Sequence, residues 1–303
     1  MSNPLKANSP GMVLPNFICP GTAKSGTTSL YEILIQHPDI YLSKEKKEAH
    51  FFDYDANYSK GLGWYSKTFF SEHKNEKAIG DITPLYMYLP DAVDRIYGDL
   101  GEKTRFIFML RNPVDRAYSH YLFNVKRGFE NEPFADALSL ESKRLKRDFS
   151  HRVRYRYADG GMYGRQLGNF LKYWPRENML FVLFEEDFLQ QRAKTISDIL
   201  EFLDVAQCKL ELQKHANAHA VPRFKWLTKM LYGDSTRKLA KKLVYSQSIR
   251  RKIFGFMARM NEKRSVYKKL DPQMHRQITE KYFKDDIHTL EKMINRNLSC
   301  WLN

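Results

Sequence analysis

Cysteine is scarce in this chain. Its 303 residues include three, Cys19, Cys208 and Cys300, far apart in sequence. They form no CxxC pair and no metal-ligand spacing, which argues against a disulfide-stapled fold and a zinc module. No metal is expected, and the low count fits a reducing compartment. Long apolar runs are also missing: none approaches the roughly 18 residues of a membrane span. The polar start, Met1 to Leu14 with two prolines, lacks the charged head and apolar stretch of a signal peptide. The chain reads as cytoplasmic, unless a native anchor precedes it. Glycine (15) and proline (12) are not in excess, which argues against a mostly disordered chain. Internal repeats and low-complexity segments are absent.

What is present suits a folded protein. Hydrophobic residues make up 43% and charged residues 28%. The length allows one large domain or two small ones, with a real core. The net charge is +15, which favours anionic partners: nucleotides, nucleic acid, anionic glycans or acidic membrane. The sign does not choose among them, and many lysines simply solvate helices.

Three short apolar runs mark buried strands. Asn16 to Cys19 runs into Pro20-Gly21, Arg105 to Leu110 is nearly all apolar, and so is Met179 to Phe184. Such runs fit strands covered on both faces of a parallel sheet. Helical spacing follows the first from Thr27 to His37, with Pro38 as terminator. It follows the second from Val114 to Val125. A helix from about Met162 to Tyr173 precedes the third, and the chain is helical again after Thr195. The alternation predicts an α/β fold: a single domain with a central parallel β-sheet flanked by helices and a helical C-terminal region. Residues 1–15 are expected to be disordered or loosely attached, and 16–303 to form the domain. After Val221 lysine, arginine and aromatics interleave; amphipathic helices are the expectation for about 221–270. The last helices are expected at about Pro272 to Phe283 and Asp285 to Ile294.

Gly21-Thr22-Ala23-Lys24-Ser25-Gly26-Thr27-Thr28 links the first strand to the first helix. Backbone N–H groups at a helix start point outward, and the helix dipole favours anions. The usual nucleoside-triphosphate loop is G-x-x-x-x-G-K-S/T, with lysine after the second glycine. Here Thr27 takes that place and the lysine moves inside the loop, to position 24. From there it can reach the bridging oxygen between a 5′-phosphate and a transferred group. A glycine turn with a solvated lysine is the plain alternative. A second anion site is expected where Arg111 ends the second strand, because open α/β sheets bind ligands at strand carboxyl ends. Arg111 can grip a phosphate bidentately, and Ser119, two turns into the following helix, can add a bond. Arg116 reads instead as a helical arginine facing Asp115 or solvent. Two anion sites on neighbouring strands imply a nucleotide phosphorylated at both its 3′ and 5′ ends.

With these motifs in order, the sequence resembles the sulfotransferases that use 3′-phosphoadenosine 5′-phosphosulfate (PAPS), and is most similar to their glycan (heparan-sulfate-type) and bacterial branch. Pro20 to Thr28 resembles the family's 5′-phosphosulfate loop, and Arg111 to Ser119 its 3′-phosphate motif. Lys47-Glu48-Ala49-His50-Phe51-Phe52-Asp53 resembles the segment with the glycan branch's catalytic glutamate. Lys60 to Tyr65 and Asn297 to Trp301 resemble further family stretches. The resemblance implies that Lys24, Ser25, Gly26, Thr27, Thr28, Arg111 and Ser119 bind the donor. Arg223, in the stretch Asn217 to Arg223, is the candidate for covering the 3′-phosphate. One departure is Ile82 in Gly80-Asp81-Ile82-Thr83-Pro84. Some glycan enzymes carry a site-facing lysine there, so a heparan-like acceptor contact is in doubt.

The implied reaction is in-line transfer of the sulfuryl group to a hydroxyl or amine, leaving 3′-phosphoadenosine 5′-phosphate (PAP). Glu48 is the implied general base, and burial beside Phe51 and Phe52 is expected to raise its pKa. The plain alternative pairs Glu48 with Lys44, Lys46 or Lys47. His50 is implied to assist, and Lys24 to neutralise charge on the leaving oxygen. The acceptor is expected to be a carbohydrate or glycoconjugate, an anionic glycan or glycolipid among them, with a lipid or small natural product as the alternative. Rival readings are a P-loop nucleotide kinase and a nucleic-acid binder. No nucleic-acid signature accompanies the basic stretch, so none is expected to bind. Oligomeric state is not readable.

Overall fold

The computed structural model describes residues 11–212 and 270–302, together with the backbone of 220–222 and 262–264. The first elements in chain order are β1 (Phe17–Gly21), α1 (Thr27–Leu34), β2 (Ile40–Leu42), α2 (Asp55–Tyr58), α3 (Gly61–Phe69), β3 (Ala78–Ile82), α4 (Pro90–Leu100) and β4 (Arg105–Leu110). Then come α5 (Pro113–Lys126), α6 (Phe134–Ser139), α7 (Glu141–Leu145), α8 (Phe149–Arg154), α9 (Tyr163–Phe170), β5 (Met179–Leu183) and α10 (Arg192–Phe202). Further along are β6 (Ala220–Pro222), β7 (Glu262–Arg264), α11 (Pro272–Ile278) and α12 (Lys284–Ile294).

The chain divides into two compact units. The first holds residues up to Arg116, Gly160–His215 and Arg276–Asn303; the second holds Ala117–Asp159 and Ala216–His275. The first unit carries a five-stranded sheet in the order β2-β3-β1-β4-β5, with every pairing parallel. This is the expected α/β class. Strands β1, β4 and β5 are largely apolar because helices cover both faces. Ile107 and Met109 of β4 pack with Leu30, Ile33 and Leu34 of α1 and Ile196, Ile199 and Leu200 of α10. Phe106 and Phe108 point the other way and meet Phe170 of α9 edge-on.

The sheet order has its switch point at β1 and β4: from β1 the chain winds to β2 and β3 on one side, then crosses to β4 and β5 on the other. Ligand crevices in such sheets open at the carboxyl ends beside that point. Pro20 shapes the crevice. It has no N–H to give the ladder, and the β1–β4 register shifts between Ile18 and Gly21. Pairing resumes in the loop, where the Thr22 N–H donates to the Met109 carbonyl at 2.7 Å.

In the second unit, β6 and β7 pair antiparallel. Its helical part is tied together at Glu130, discussed below. Of the expected segments, residues 1–10, Arg223 and most of 221–270 lie outside the described residues. Among those described, no helix is long and apolar enough to cross a membrane.

Candidate active site

The phosphate-type loop leaves the buried end of β1 and enters α1 at Gly26. Gly26 has φ 86°, and a Cβ there would lie 2.6 Å from the Phe184 ring. Only glycine satisfies both conditions. No side chain caps the first turn of α1, so its outward N–H groups keep their capacity for an anion. Lys24 also has positive φ, 77°. A lysine held in the left-handed region costs free energy that the surrounding fold must impose, a pattern concentrated at functional sites. Ser25 is fully buried and its hydroxyl lies 2.6 Å from that of Thr22, so it is engaged in the loop's own turn.

Arg111 arrives from the carboxyl end of β4. Its Nη1 donates to the Lys24 carbonyl at 3.3 Å, which joins the two expected anion sites directly. Its Nε pairs with Glu185 at 3.1 Å, and its guanidinium lies 5.1 Å from the Phe184 ring centre. Burial raises the Glu185 pKa, against the pull of Arg111. The Tyr163 hydroxyl donates to the Arg111 carbonyl at 3.0 Å. Burial pushes that hydroxyl up to about 12, so it remains a neutral donor. Arg116 is 1% exposed, so of its two expected settings it does not face solvent. Ser119 is buried on α5 in the second unit.

The segment after β2 brings Glu48 and His50. Three hydrogen bonds fix its backbone: Ala49 N–H to Thr83 Oγ1 at 3.0 Å, Phe51 N–H to the Tyr86 hydroxyl at 3.0 Å, and Asn57 Nδ2 to the His50 carbonyl at 2.7 Å. Buried Asp81 anchors that support by accepting from Thr83, Tyr65 and Tyr86. His50, like Lys24, sits at positive φ, 51°. Its Nε2 is 3.2 Å from Glu48 Oε2, and its Nδ1 is 2.7 Å from Asp53 Oδ2. Burial opposes charge on His50, but the bonds to Asp53 and Glu48 prevail and raise its pKa to about 9. His50 is therefore a cation at neutral pH.

Glu48 corrects one expectation. Burial does push its pKa up, but the hydrogen bond from His50 and the charges of Lys47 and His50 outweigh it, and the pKa is lowered. Phe51 and Phe52 pack into an aromatic cluster with Tyr65. Of the three lysines considered as partners, Lys47 is the one found beside Glu48, at 3.4 Å. Its ammonium also donates to Thr27 and Thr28, both at 3.2 Å.

Arg111 bonds to the loop at Lys24, and from the loop's far end hydrogen bonds and ion pairs run through Lys47 to Glu48, His50 and Asp53. Sequence reasoning brought forward Lys24, Gly26, Glu48, His50 and Arg111. It passed over Asp53, although an acidic residue three positions after His50 in a tight segment was the available signal. It also passed over Glu185, for which no local signal exists.

A family model described as a sulfotransferase domain matches residues 14–282. The chain belongs to the sulfotransferase family. Mouse heparan sulfate glucosamine 3-O-sulfotransferase 6 is 30% identical over 231 residues, covering 75% of this chain and 62% of that protein. The membrane-associated sulfotransferase kil1 of Dictyostelium discoideum is 39% identical over 117 residues, 38% of this chain and 24% of that protein. These matches span less than two thirds of either relative. Among solved structures, a sulfotransferase from Alicyclobacillus acidocaldarius superposes with a TM-score of 0.66 at 25% identity, covering 96% of this chain and all of that one.

Proposed function

We propose that this sulfotransferase moves the sulfuryl group of PAPS to a hydroxyl or amine of a carbohydrate or glycoconjugate. The observation that carries the reading is the junction of Arg111 with the loop at the Lys24 carbonyl. It supports one ligand with an anion at each end. The residues fit such a donor. Gly26 lets the loop turn close against Phe184 at the start of α1, no side chain caps that helix start, and Arg111 lies at the second end. Lys24, Ser25, Gly26, Thr27 and Thr28 would hold the 5′-phosphosulfate. Arg111 would hold the 3′-phosphate, with Ser119 and Arg223 as further proposed contacts. The similarity to heparan sulfate glucosamine 3-O-sulfotransferases supports a glycan acceptor. Three free cysteines support a reducing, cytoplasmic setting.

In the proposed reaction the acceptor oxygen bonds to sulfur as the bond from sulfur to the 5′-phosphate oxygen breaks. The electron pair stays with the phosphate, and the acceptor proton passes to Glu48. The lowered pKa keeps Glu48 ionised with a lone pair free for the proton, and makes it a weaker base than an ordinary carboxylate. His50, charged and fixed by Asp53, would orient Glu48. Lys24 would neutralise the leaving phosphate oxygen, a kind of contact typically worth about 3–4 kcal/mol of barrier.

A thermal-shift titration tests the donor assignment. PAP should raise the melting temperature without Mg²⁺, and ATP should do so much less. Stabilisation by ATP with Mg²⁺ alone would overturn it in favour of a kinase-type site.

A further inference from the structure

Lys47 lies at a bend in the irregular segment between β2 and Glu48, and its side chain is only 17% exposed. Burying an ammonium is costly without strong partners. Its hydrogens go to Thr27 Oγ1 and Thr28 Oγ1, each at 3.2 Å, and to Glu48 Oε1 at 3.4 Å. Two of these acceptors are neutral hydroxyls on the first two residues of α1. The third belongs to the proposed base. The ammonium therefore stands between the end of the loop that would anchor the phosphosulfate and the carboxylate that would take the acceptor proton. In an in-line transfer, the group that changes hands must lie between those same two places.

We propose that Lys47 is a second cation of the transfer step, contacting the oxygens of the sulfuryl group itself. The inference rests on the PAPS reading and deepens it. Lys24 and Lys47 then divide the work. Lys24 answers the charge left on the 5′-phosphate. Lys47 answers the charge on the three non-bridging sulfuryl oxygens, which persists from donor to product. Neutral threonine hydroxyls compete weakly with an anionic sulfuryl oxygen for an ammonium, so an arriving donor outbids them. The contact with Glu48 adds a second effect: the positive charge helps keep that carboxylate ionised beside the donor.

A purely structural role, tying the segment to α1, predicts something different. It would weaken every ligand of the loop alike. PAP and PAPS separate the two roles because PAP has the same phosphates and no sulfuryl group. Isothermal titration of the full chain with PAP and with PAPS is the test, using Lys47→Met and Lys47→Gln, with Lys47→Arg as the charge-retaining control. Both neutral variants should bind PAPS about tenfold or more weakly, the range for a lost hydrogen bond to a charged group, and bind PAP within about twofold of the unaltered chain. Lys47→Arg should keep most of the preference for PAPS. Gln retains hydrogen bonding to the threonines, so it carries the test if the Met variant fails to fold. Equal losses for PAP and PAPS, or no loss for either, would overturn the proposal. If the unaltered chain binds neither nucleotide, the donor reading itself fails, and this inference with it.

Discussion

Two carboxylates, one in each unit, meet cations in opposite ways. Glu130, in the second unit, is 1% exposed at its side chain. It accepts from the backbone N–H of Asn131 and Glu132, from both terminal nitrogens of Arg144, and from the Tyr157 hydroxyl. Asn124 in turn donates to Tyr157 at 2.9 Å and to the Arg154 carbonyl at 2.8 Å. Glu48, in the first unit, is 38% exposed at its side chain and faces Lys47 and His50. Both carboxylates are paired with cations. Glu130 has its oxygens saturated and shut from water, so a proton from a ligand cannot reach it. Glu48 keeps open access, and its neighbour His50 is held at positive φ. The difference teaches that ion pairing alone does not separate the two carboxylates. Access and the positive φ of the neighbouring His50 do.

Glutamine at each position sets the two apart most sharply. Glu48→Gln keeps the shape and removes the proposed proton acceptor. It should lower transfer of labelled sulfate from PAPS to a carbohydrate that the unaltered chain sulfates by about two to four orders of magnitude. The melting temperature should move less than for Glu130→Gln, because Glu48 keeps 38% of its side chain exposed and water can solvate the amide. Retained transfer would remove Glu48 from the mechanism. Glu130→Gln should do the reverse. Breaking a buried pair by removing one partner costs about 3–5 kcal/mol, so urea unfolding should shift by that much. A Glu130→Gln protein of unchanged stability would show that the network is not what holds the second unit.

The same contrast explains what was legible in the sequence. Strands β1, β4 and β5 announced themselves because burial on both faces makes them continuously apolar. Strand β2 has only three residues, and β3 contains Gly80 and Asp81, so neither stands out. Asp81 is polar because it anchors Tyr65, Tyr86 and Thr83, a purpose visible only in three dimensions. Lys24, Gly26 and Arg111 stand out in the sequence because one short loop and one strand end carry the pattern, and the fold brings them together. Glu185 was not, since it reaches Arg111 across 74 positions of sequence. Lys47 was weighed as one of a run of lysines beside Glu48; its bonds to Thr27 and Thr28 depend on how the segment after β2 folds back on α1. The downward direction of the Glu48 pKa was equally hidden, because His50 turns toward it only through the left-handed backbone at position 50.

The smallest expected effect concerns Asp53, which acts through His50. Its side chain is fully buried, and its Oδ2 holds His50 Nδ1 at 2.7 Å. Asp53→Asn keeps the shape and removes the charge. The sign follows from His50. A histidine raised from 6.5 to about 9 is protonated below about 9 and neutral above it. The stability it contributes is complete below the unfolded pKa near 6.5 and is lost as the pH rises through about 9. Proposed catalysis with a charged His50 should fall along the same basic limb. Asp53→Asn should move that limb from about 9 toward 6.5, with the rate near pH 6 little changed. The acidic limb belongs to Glu48, whose lowered pKa places it below the ordinary 4.5, and it should move less. A kcat/KM profile with its basic limb unmoved would show that Asp53 does not set the charge of His50. A uniform drop at every pH would assign Asp53 to folding alone, and bring it closer in kind to Glu130 than to Glu48.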